Sequence, residues 1–415
     1  MARLTLASSP HPRYKHWPDS AERIDVVAQY DVIVVGGGIL GASTAYHLEH
    51  LRAGRILLLD RDRPAGGATG KSAAIVHQHF DHAPTVRLAR ATIDMLKAMP
   101  DERDTDSCFV QCGHGLMVGA DMLVETRKTM AVQRSLGIDV AQLAGGGPPH
   151  LIGPIDSRGV AALIYEKLGG YADPVKTTEI YVKAFRNAGG TVKPGTTVRA
   201  LRREGDRITG VETDQGPLSA DLVVNAAGPW AGLVAATASL PLSLTTSREH
   251  VSHWRIGPDH GPPIKPVPRI VITDLVAGIY LRPLGIAHIA VGRAGPRELE
   301  PADPERFRRG PNPTILEDMR QRIARRFPEL SDMPLASIHT ALGATTEDGL
   351  AYAGRRGGLA GYADACSGAY GFAVAPALGR ELARALVSNK TTDDLASLSY
   401  DRLAGKQQTA IKRAE

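Results

Sequence analysis

Tyr30-Asp31-Val32-Ile33-Val34-Val35-Gly36-Gly37-Gly38-Ile39-Leu40-Gly41-Ala42-Ser43-Thr44-Ala45-Tyr46-His47-Leu48 is the stretch that decides how this chain folds. Asp31 to Val35 is a short apolar, β-branched run, read as a buried strand, and the glycines after it lead straight into a helical segment. In such a unit the first glycine turns the chain sharply and the second leaves room for a pyrophosphate. The third lets helix and strand pack closely. Phosphates then sit on free N–H groups at the positive end of the helix. A second apolar run, Arg55 to Leu59, ends in Asp60, about twenty residues beyond the glycines, where a carboxylate accepts hydrogen bonds from ribose hydroxyls. Strand, glycines, helix, strand and acid in register predict a dinucleotide site with Gly36, Gly38, Ile39, Leu40, Gly41 and Asp60 as contacts. The acid disfavours a 2'-phosphate and hence NADP, although Arg61 directly after it keeps that option open; NAD and FAD remain.

Outward from this unit, Pro64 to Phe80 is a long glycine-rich passage that includes Thr69-Gly70-Lys71-Ser72-Ala73-Ala74. Its small residues suit the close approach of something large and flat, such as an isoalloxazine ring, whereas a simple NAD dehydrogenase would continue into further βαβ repeats. Thr177 to Asn187 reads as a helix, with strands at Thr191-Val192 and Thr197-Val198-Arg199-Ala200-Leu201 and a hairpin turning at Gly205-Asp206. Leu222-Val223-Val224-Asn225-Ala226-Ala227-Gly228-Pro229-Trp230 is another strand running into a small-residue turn. Near the end, Ser367-Gly368-Ala369-Tyr370-Gly371-Phe372 opens a helix whose positive end suits the negative charge of a reduced flavin.

The chain has 415 residues, 43% hydrophobic and 22% charged, which excludes a mainly disordered, collagenous or repeat-dominated protein. Its length exceeds a single compact core of roughly 250–300 residues. Three cysteines, Cys108, Cys112 and Cys366, exclude a disulfide scaffold and suit a reducing compartment. No apolar run approaches the roughly 20 residues of a membrane span. Met1 to Gln29 is proline-rich and basic without the apolar core of a signal peptide, so a cytoplasmic location is expected and the arm is read as lying on the surface. The charge of +5 is spread thinly. Thr314 to Phe327 reads as an amphipathic helix whose four arginines form a solvated face rather than a nucleic-acid site.

Together these segments resemble the D-amino-acid oxidase superfamily of FAD oxidoreductases, the group with glycine oxidase, sarcosine oxidase and dimethylglycine dehydrogenase. The carriers are the glycine motif with Asp60, Thr69 to Ala74, Ala172-Asp173-Pro174, Asn225 to Trp230, the Asp348-Gly349 turn and Ser367 to Gly379. The resemblance covers residues 30 to about 388, and residues 69 to 80 look closest to the sarcosine oxidase β subunit and its dehydrogenase relatives. It implies an α/β fold in which a Rossmann-type FAD domain (30–84, 155–235 and 336–388) is interleaved with a substrate domain on a large mixed antiparallel sheet (85–154 and 236–335). Residues 1–29 are then an extension and 389–415 a tail. Arg61, Gly70, Lys71, Ser72, Ala73, Val198, Ala227, Gly228, Trp230, Gly368, Tyr370, Gly371 and Phe372 join the expected FAD contacts.

The implied reaction is oxidation of a C–N bond in a small amine or amino acid, giving an imine that hydrolyses; a hydroxy-acid or alcohol dehydrogenase on the same fold is the alternative. Departures from relatives are informative. An arginine that holds substrate carboxylates in similar oxidases falls at Gly343, a second at His77, and a lysine at Ala373. Arg282, on the Tyr280-Leu281-Arg282 run, is then the candidate carboxylate grip. Positions used for covalent flavin attachment fall at Ser72, Ala172 and Ala341, so FAD is expected to be held without a covalent bond. Ala290 stands where a lysine promotes oxygen reaction, which favours another electron acceptor, and the chain could act as a homo-oligomer or as a subunit of a complex.

Hydride removal needs orientation, a neutral amine and a dry pocket. His77 and His79, two residues apart on an extended chain and hence on one face, are candidates to touch substrate, with His250 and His253 as further candidates and Tyr280 beside them. Cys108, Cys112 and His114 lack a fourth ligand, so no metal is expected.

Overall fold

A computed structural model describes residues 29–99, 108–258, 266–295 and 300–403. The amino-terminal arm read as a surface segment, the end of the tail and part of the proline-rich Gly257–Pro268 lie outside the described residues. Among the described residues no helix is long and apolar enough to cross a membrane.

The quoted stretch forms the strand Gln29–Val35, a glycine turn and the helix Ile39–His50. The strand lies parallel between Ile56–Leu59 and Gly216–Asn225, with Val35 opposite both Leu59 and Asn225. Thr191–Lys193 extends this sheet on one side and Tyr362–Cys366 on the other, both parallel. Unbroken apolar runs are what a sheet covered on both faces requires, and alternate residues divide between two cores. Val32, Val34, Ile56 and Leu58 pack with Ala45 and Leu48 of the first helix and with Leu378 and Leu382. Ile33, Val35, Leu57 and Leu59 pack with Leu201, Ile208 and Val211, from the hairpin Val198–Glu204 and Arg207–Thr213 that turns at Gly205-Asp206 as expected.

Two details aim this sheet at the site. Gly379 of the helix Gly371–Ser388 lies so close to the first helix that a β-carbon there would stand 2.7 Å from Ser43 Oγ, and Ser43 donates to the Pro376 carbonyl at 2.8 Å. At the strand ends, Asn225 donates to the Tyr362 hydroxyl at 2.9 Å, which donates to Asp364 at 2.9 Å, and Arg356 donates to Asp364 at 2.6 Å. This buried network fixes the turn that follows Asn225.

The second sheet has nine strands in the order Glu300–Pro301, Thr245–Arg255, His288–Arg293, Ile279–Leu284, Val271–Asp274, His114–Val118, Ala162–Glu166 and Val140–Ala144, with Leu335–Thr345 also paired to Thr245–Arg255. It is mixed, because Val271–Asp274 runs parallel to His114–Val118 while its other pairs are antiparallel. The helix Pro313–Arg326 covers one face, packing Ile315, Met319 and Ile323 on Trp254, Ile279, Leu281 and Ile289. Its arginines differ from the expected solvated face. Arg326 is buried against Asp274 at 2.5 Å and Arg320 lies 4.6 Å over the Trp254 ring, leaving Arg325 exposed.

Sheet membership departs from the expected segments at two places. Ala162–Glu166, inside the segment assigned to the FAD domain, pairs within the nine-stranded sheet, and so does most of Leu335–Thr345. Both strands mix apolar with polar residues, Glu166 and His339 among them, in patterns that fit either sheet, so pairing partners are what distinguish them. A three-stranded sheet of Ile75–Val76, Gly170–Ala172 and Phe109–Val110 stitches the two parts together.

Candidate active site

The two sheets meet at a cleft of about 340 Å³, within the size range of small-molecule sites. One end is built from backbone. The helices Ile39–His50 and Gly371–Ser388 both begin there, neither has a capping side chain at its N-cap or an acid in its first turn, and Ile39, Leu40, Gly371 and Phe372 line the wall. The positive ends of two helices therefore open into one space. Thr69 Oγ1 accepts the Ile39 N–H at 3.1 Å. Gly38, Lys71, Ser72, Ala73, Gly228, Gly368 and Tyr370, expected from the sequence as cofactor contacts, also line the cleft.

The other expected contacts lie behind this wall. A β-carbon on Gly36 (φ +108°) would stand 2.3 Å from the Ala226 carbonyl, one on Gly41 1.9 Å from the Gly36 carbonyl, and one on Gly70 2.1 Å from the Ala65 carbonyl. These glycines let segments touch so that the turn can form. Asp60 accepts the Gly37 N–H at 2.7 Å and the Asp62 N–H at 2.8 Å, and burial raises its pKa against those two bonds. Arg61 stacks 3.9 Å over Trp230 and pairs with Glu305 at 2.9 Å. Val198 and Ala227 pack against the second core of the parallel sheet.

The other end is built from side chains of the nine-stranded sheet. Tyr280 lies flat over Gly292, where a β-carbon would meet its ring carbon Cζ at 2.3 Å. Val251, Thr273 and Ala341 line the wall beside it, and His77 closes the space between the sheets. The His77 ring stacks on His114 at 4.5 Å and on Phe80 at 4.7 Å, with Tyr370 edge-on at 6.3 Å. Burial holds the His77 pKa near 3, the nearby His79 adding to it, so the ring is neutral at physiological pH. Its Nδ1 accepts the backbone N–H of His79 at 3.2 Å. The proton therefore sits on Nε2, and His77 faces the cleft as a donor, not as a base.

His79 does not share that face. The chain turns after His77, with the Phe80 N–H reaching the Gln78 carbonyl at 3.0 Å, so the alternation of an extended chain is broken. His79 Nδ1 donates instead to Gln133 at 2.8 Å, and Gln133 in turn donates to the buried Glu166 at 2.6 Å, whose pKa burial pushes up to about 7. His250 also points elsewhere. Its neighbours Glu249 and Val251 line the cleft, so strand alternation sends His250 to the opposite face, where Nε2 accepts the Asn312 N–H at 3.0 Å. His253 bonds Ser337 at 3.1 Å and its pKa is lowered to about 4, chiefly by burial. Arg282, expected to grip a carboxylate, does not line the cleft. Its guanidinium lies 4.5 Å over Tyr171 and donates to the Pro283 carbonyl at 3.0 Å.

The sequence reading passed over Glu249, Thr273 and Phe80, and weighed His114 only as a metal ligand, not as the ring beneath His77. Glu249 was open to discovery, because the alternation that puts His250 on one face puts its acidic neighbour on the other.

A glycine-turn parallel sheet joined through one cleft to a mixed sheet is the arrangement of a dinucleotide-binding oxidoreductase. The family described as FAD dependent oxidoreductase (DAO) matches residues 31–385, and the chain belongs to that family, whose cofactor is FAD. Among curated relatives it is 27% identical over 383 residues to the 4-methylaminobutanoate oxidase (formaldehyde-forming) of Paenarthrobacter nicotinovorans, covering 90% of this chain and 46% of that one. It is 27% identical over 270 residues to the mitochondrial sarcosine dehydrogenase of Mus musculus, covering 63% and 28%. The chain thus spans less than half the length of these curated relatives. Solved structures match along nearly their whole length. L-proline dehydrogenase from P. horikoshii superposes with a TM-score of 0.80 at 21% identity, covering 90% of this chain and 97% of that one. Glycine oxidase from Geobacillus kaustophilus gives 0.77 at 22%, covering 90% and 98%.

Proposed function

We propose that this chain oxidises a C–N bond of a small amine or amino acid, such as a secondary or N-methyl amine or a cyclic imino acid, to an imine that water then hydrolyses. The observation that carries this reading is the cleft itself, where two helix starts without an N-cap side-chain bond face a compact pocket that holds the neutral His77 and one acid, Glu249. FAD, when bound, supplies the two-electron acceptor. Ile39 and Leu40 at the first helix would hold its phosphates, with Gly36, Gly38 and Gly41 keeping that turn bare and Asp60 serving the ribose. Ser72, Ala73, Gly368, Gly371 and Phe372 would hold the ring system, and the second helix end would favour negative charge on it.

At the reacting end the chain orients and dries. Tyr280, Val251, Thr273 and Ala341 form the wall, and His77 offers its Nε2–H as a hydrogen bond to the substrate without adding a positive charge. An electron acceptor other than oxygen belongs to the same reading, since Ala290, where the resemblance would put an oxygen-promoting lysine, is fully buried and supplies no cation, and Lys71 lies at the helix end of the cleft. The test is an anaerobic titration of the flavin-loaded protein with N-methyl amines, amino acids, cyclic imino acids and hydroxy acids. Bleaching of the flavin band by amines or amino acids is the expected result; bleaching by hydroxy acids alone overturns it. Reoxidation of the bleached protein faster by a quinone dye than by air checks the acceptor.

A further inference from the structure

Glu249 is the acidic group among the residues that line the cleft. It extends from Thr245–Arg255 over the neighbouring strand, and its Oε1 stands 2.1 Å from where a β-carbon on Gly343 would lie. The absence of a side chain at 343 is what admits this carboxylate. It is accessible to solvent from the cleft, yet enough protein surrounds it that burial raises its pKa. Ser247 Oγ donates to it at 3.1 Å, and none of the described cations neutralises it. Lys71 responds to Arg309 and Asp62 at the helix end of the cleft, Arg282 is stacked on Tyr171, and His77 is neutral.

A substrate filling this end strips water from a carboxylate that lacks a counter-charge, a cost that a cation on the substrate offsets. A substrate carboxylate would meet like charge instead. The cation cannot be the reacting nitrogen, because an anion beside that nitrogen favours its protonated form, which does not release hydride. We infer that Glu249 selects substrates carrying a second cationic nitrogen, methylated di- or polyamines, over amino acids. This rests on the reading that the cleft oxidises a C–N bond.

The test uses the flavin-loaded protein and three probes: N-methyl-1,3-diaminopropane, N-methylbutylamine as its singly charged counterpart, and sarcosine. Dissociation constants come from anaerobic flavin titration, and calorimetry with 1,3-diaminopropane gives binding without turnover. The diamine is expected to bind roughly tenfold tighter than either other probe, the scale of one desolvated charge pair, and Glu249→Gln to erase that ratio. Gly343→Ala, whose β-carbon displaces the carboxylate, is expected to do the same should the first variant fold poorly. Tighter binding of sarcosine than of the diamine, or equal weakening of all three probes in Glu249→Gln, overturns the assignment. If no probe bleaches the flavin while 1,3-diaminopropane still binds through Glu249, the oxidation reading fails and the cation site stands.

Discussion

The two ends of the cleft are made in opposite ways. The helix end is mostly backbone: glycines at near-contact distances, two helix starts without an N-cap side-chain bond, and a polar network that fixes one turn. The pocket end is side chains, projected from the sheets by Ile75–Val76, Thr245–Arg255, Val271–Asp274, Ile279–Leu284 and their neighbours. Backbone geometry is intolerant because no rotamer relieves a clash, whereas a side-chain wall can change one member and keep its shape. The first end suits a fixed ligand and the second a variable one.

The sharpest way to break this contrast is Gly36→Val. A β-carbon 2.3 Å from the Ala226 carbonyl at φ +108° leaves nothing to yield but backbone, and strain of about 1–3 kcal/mol falls on the turn itself. The purified protein is expected to lose most of its flavin absorbance per chain; full retention would show that the helix end is as adjustable as the pocket. Next comes Asp274→Asn, which leaves the buried Arg326 without its partner beneath the pocket sheet. A loss of about 3–5 kcal/mol in denaturant unfolding is expected.

His77→Ala tests the pocket end alone. It removes one donor and the stack on His114 and Phe80 while leaving the helix starts intact. Flavin content should hold, and kcat/KM with the best amine should drop roughly ten- to a hundredfold, the range of a lost positioning contact. Unchanged turnover and affinity together would remove His77 from the pocket.

The smallest effect is one of pH. Burial holds His77 near 3 and holds His47 and His253 near 4, all below the ordinary value of 6.5. Below pH 6.5 the unfolded chain takes up protons at these sites while the folded chain does not, so stability falls as pH drops. Glu166 acts in the opposite sense. Raised from 4.5 to about 7, it keeps its proton only when folded, a stabilisation present below 4.5 and lost as pH rises through 7. Glu166→Gln removes that opposing slope, so the fall in Tm between pH 7 and pH 5 should be larger in the variant than in the parent.

The same contrast explains what could be read in advance. Strand, glycines and helix starts are local, and a backbone requirement leaves its mark at the residue that meets it, so Gly36 to Gly41, Asp60 and Gly368 to Phe372 were legible. The pocket depends on which strands pair and which face each residue takes. A turn one residue past His77 sent His79 to Gln133, and alternation turned His250 away while presenting Glu249. The strands Ala162–Glu166 and Leu335–Thr345 went to the unexpected sheet for the same reason, because pairing partners lie far away in the chain.

That interleaving also governs how the molecule is made. The parallel sheet joins Gln29–Val35 to Gly216–Asn225 and finally to Tyr362–Cys366, so its last parallel strand is translated more than three hundred residues after its first. At ribosomal rates of about 5–20 residues per second, the nascent chain carries an open apolar strand edge for on the order of half a minute. During synthesis, chaperone cover and translation speed should bear on yield more than final stability does.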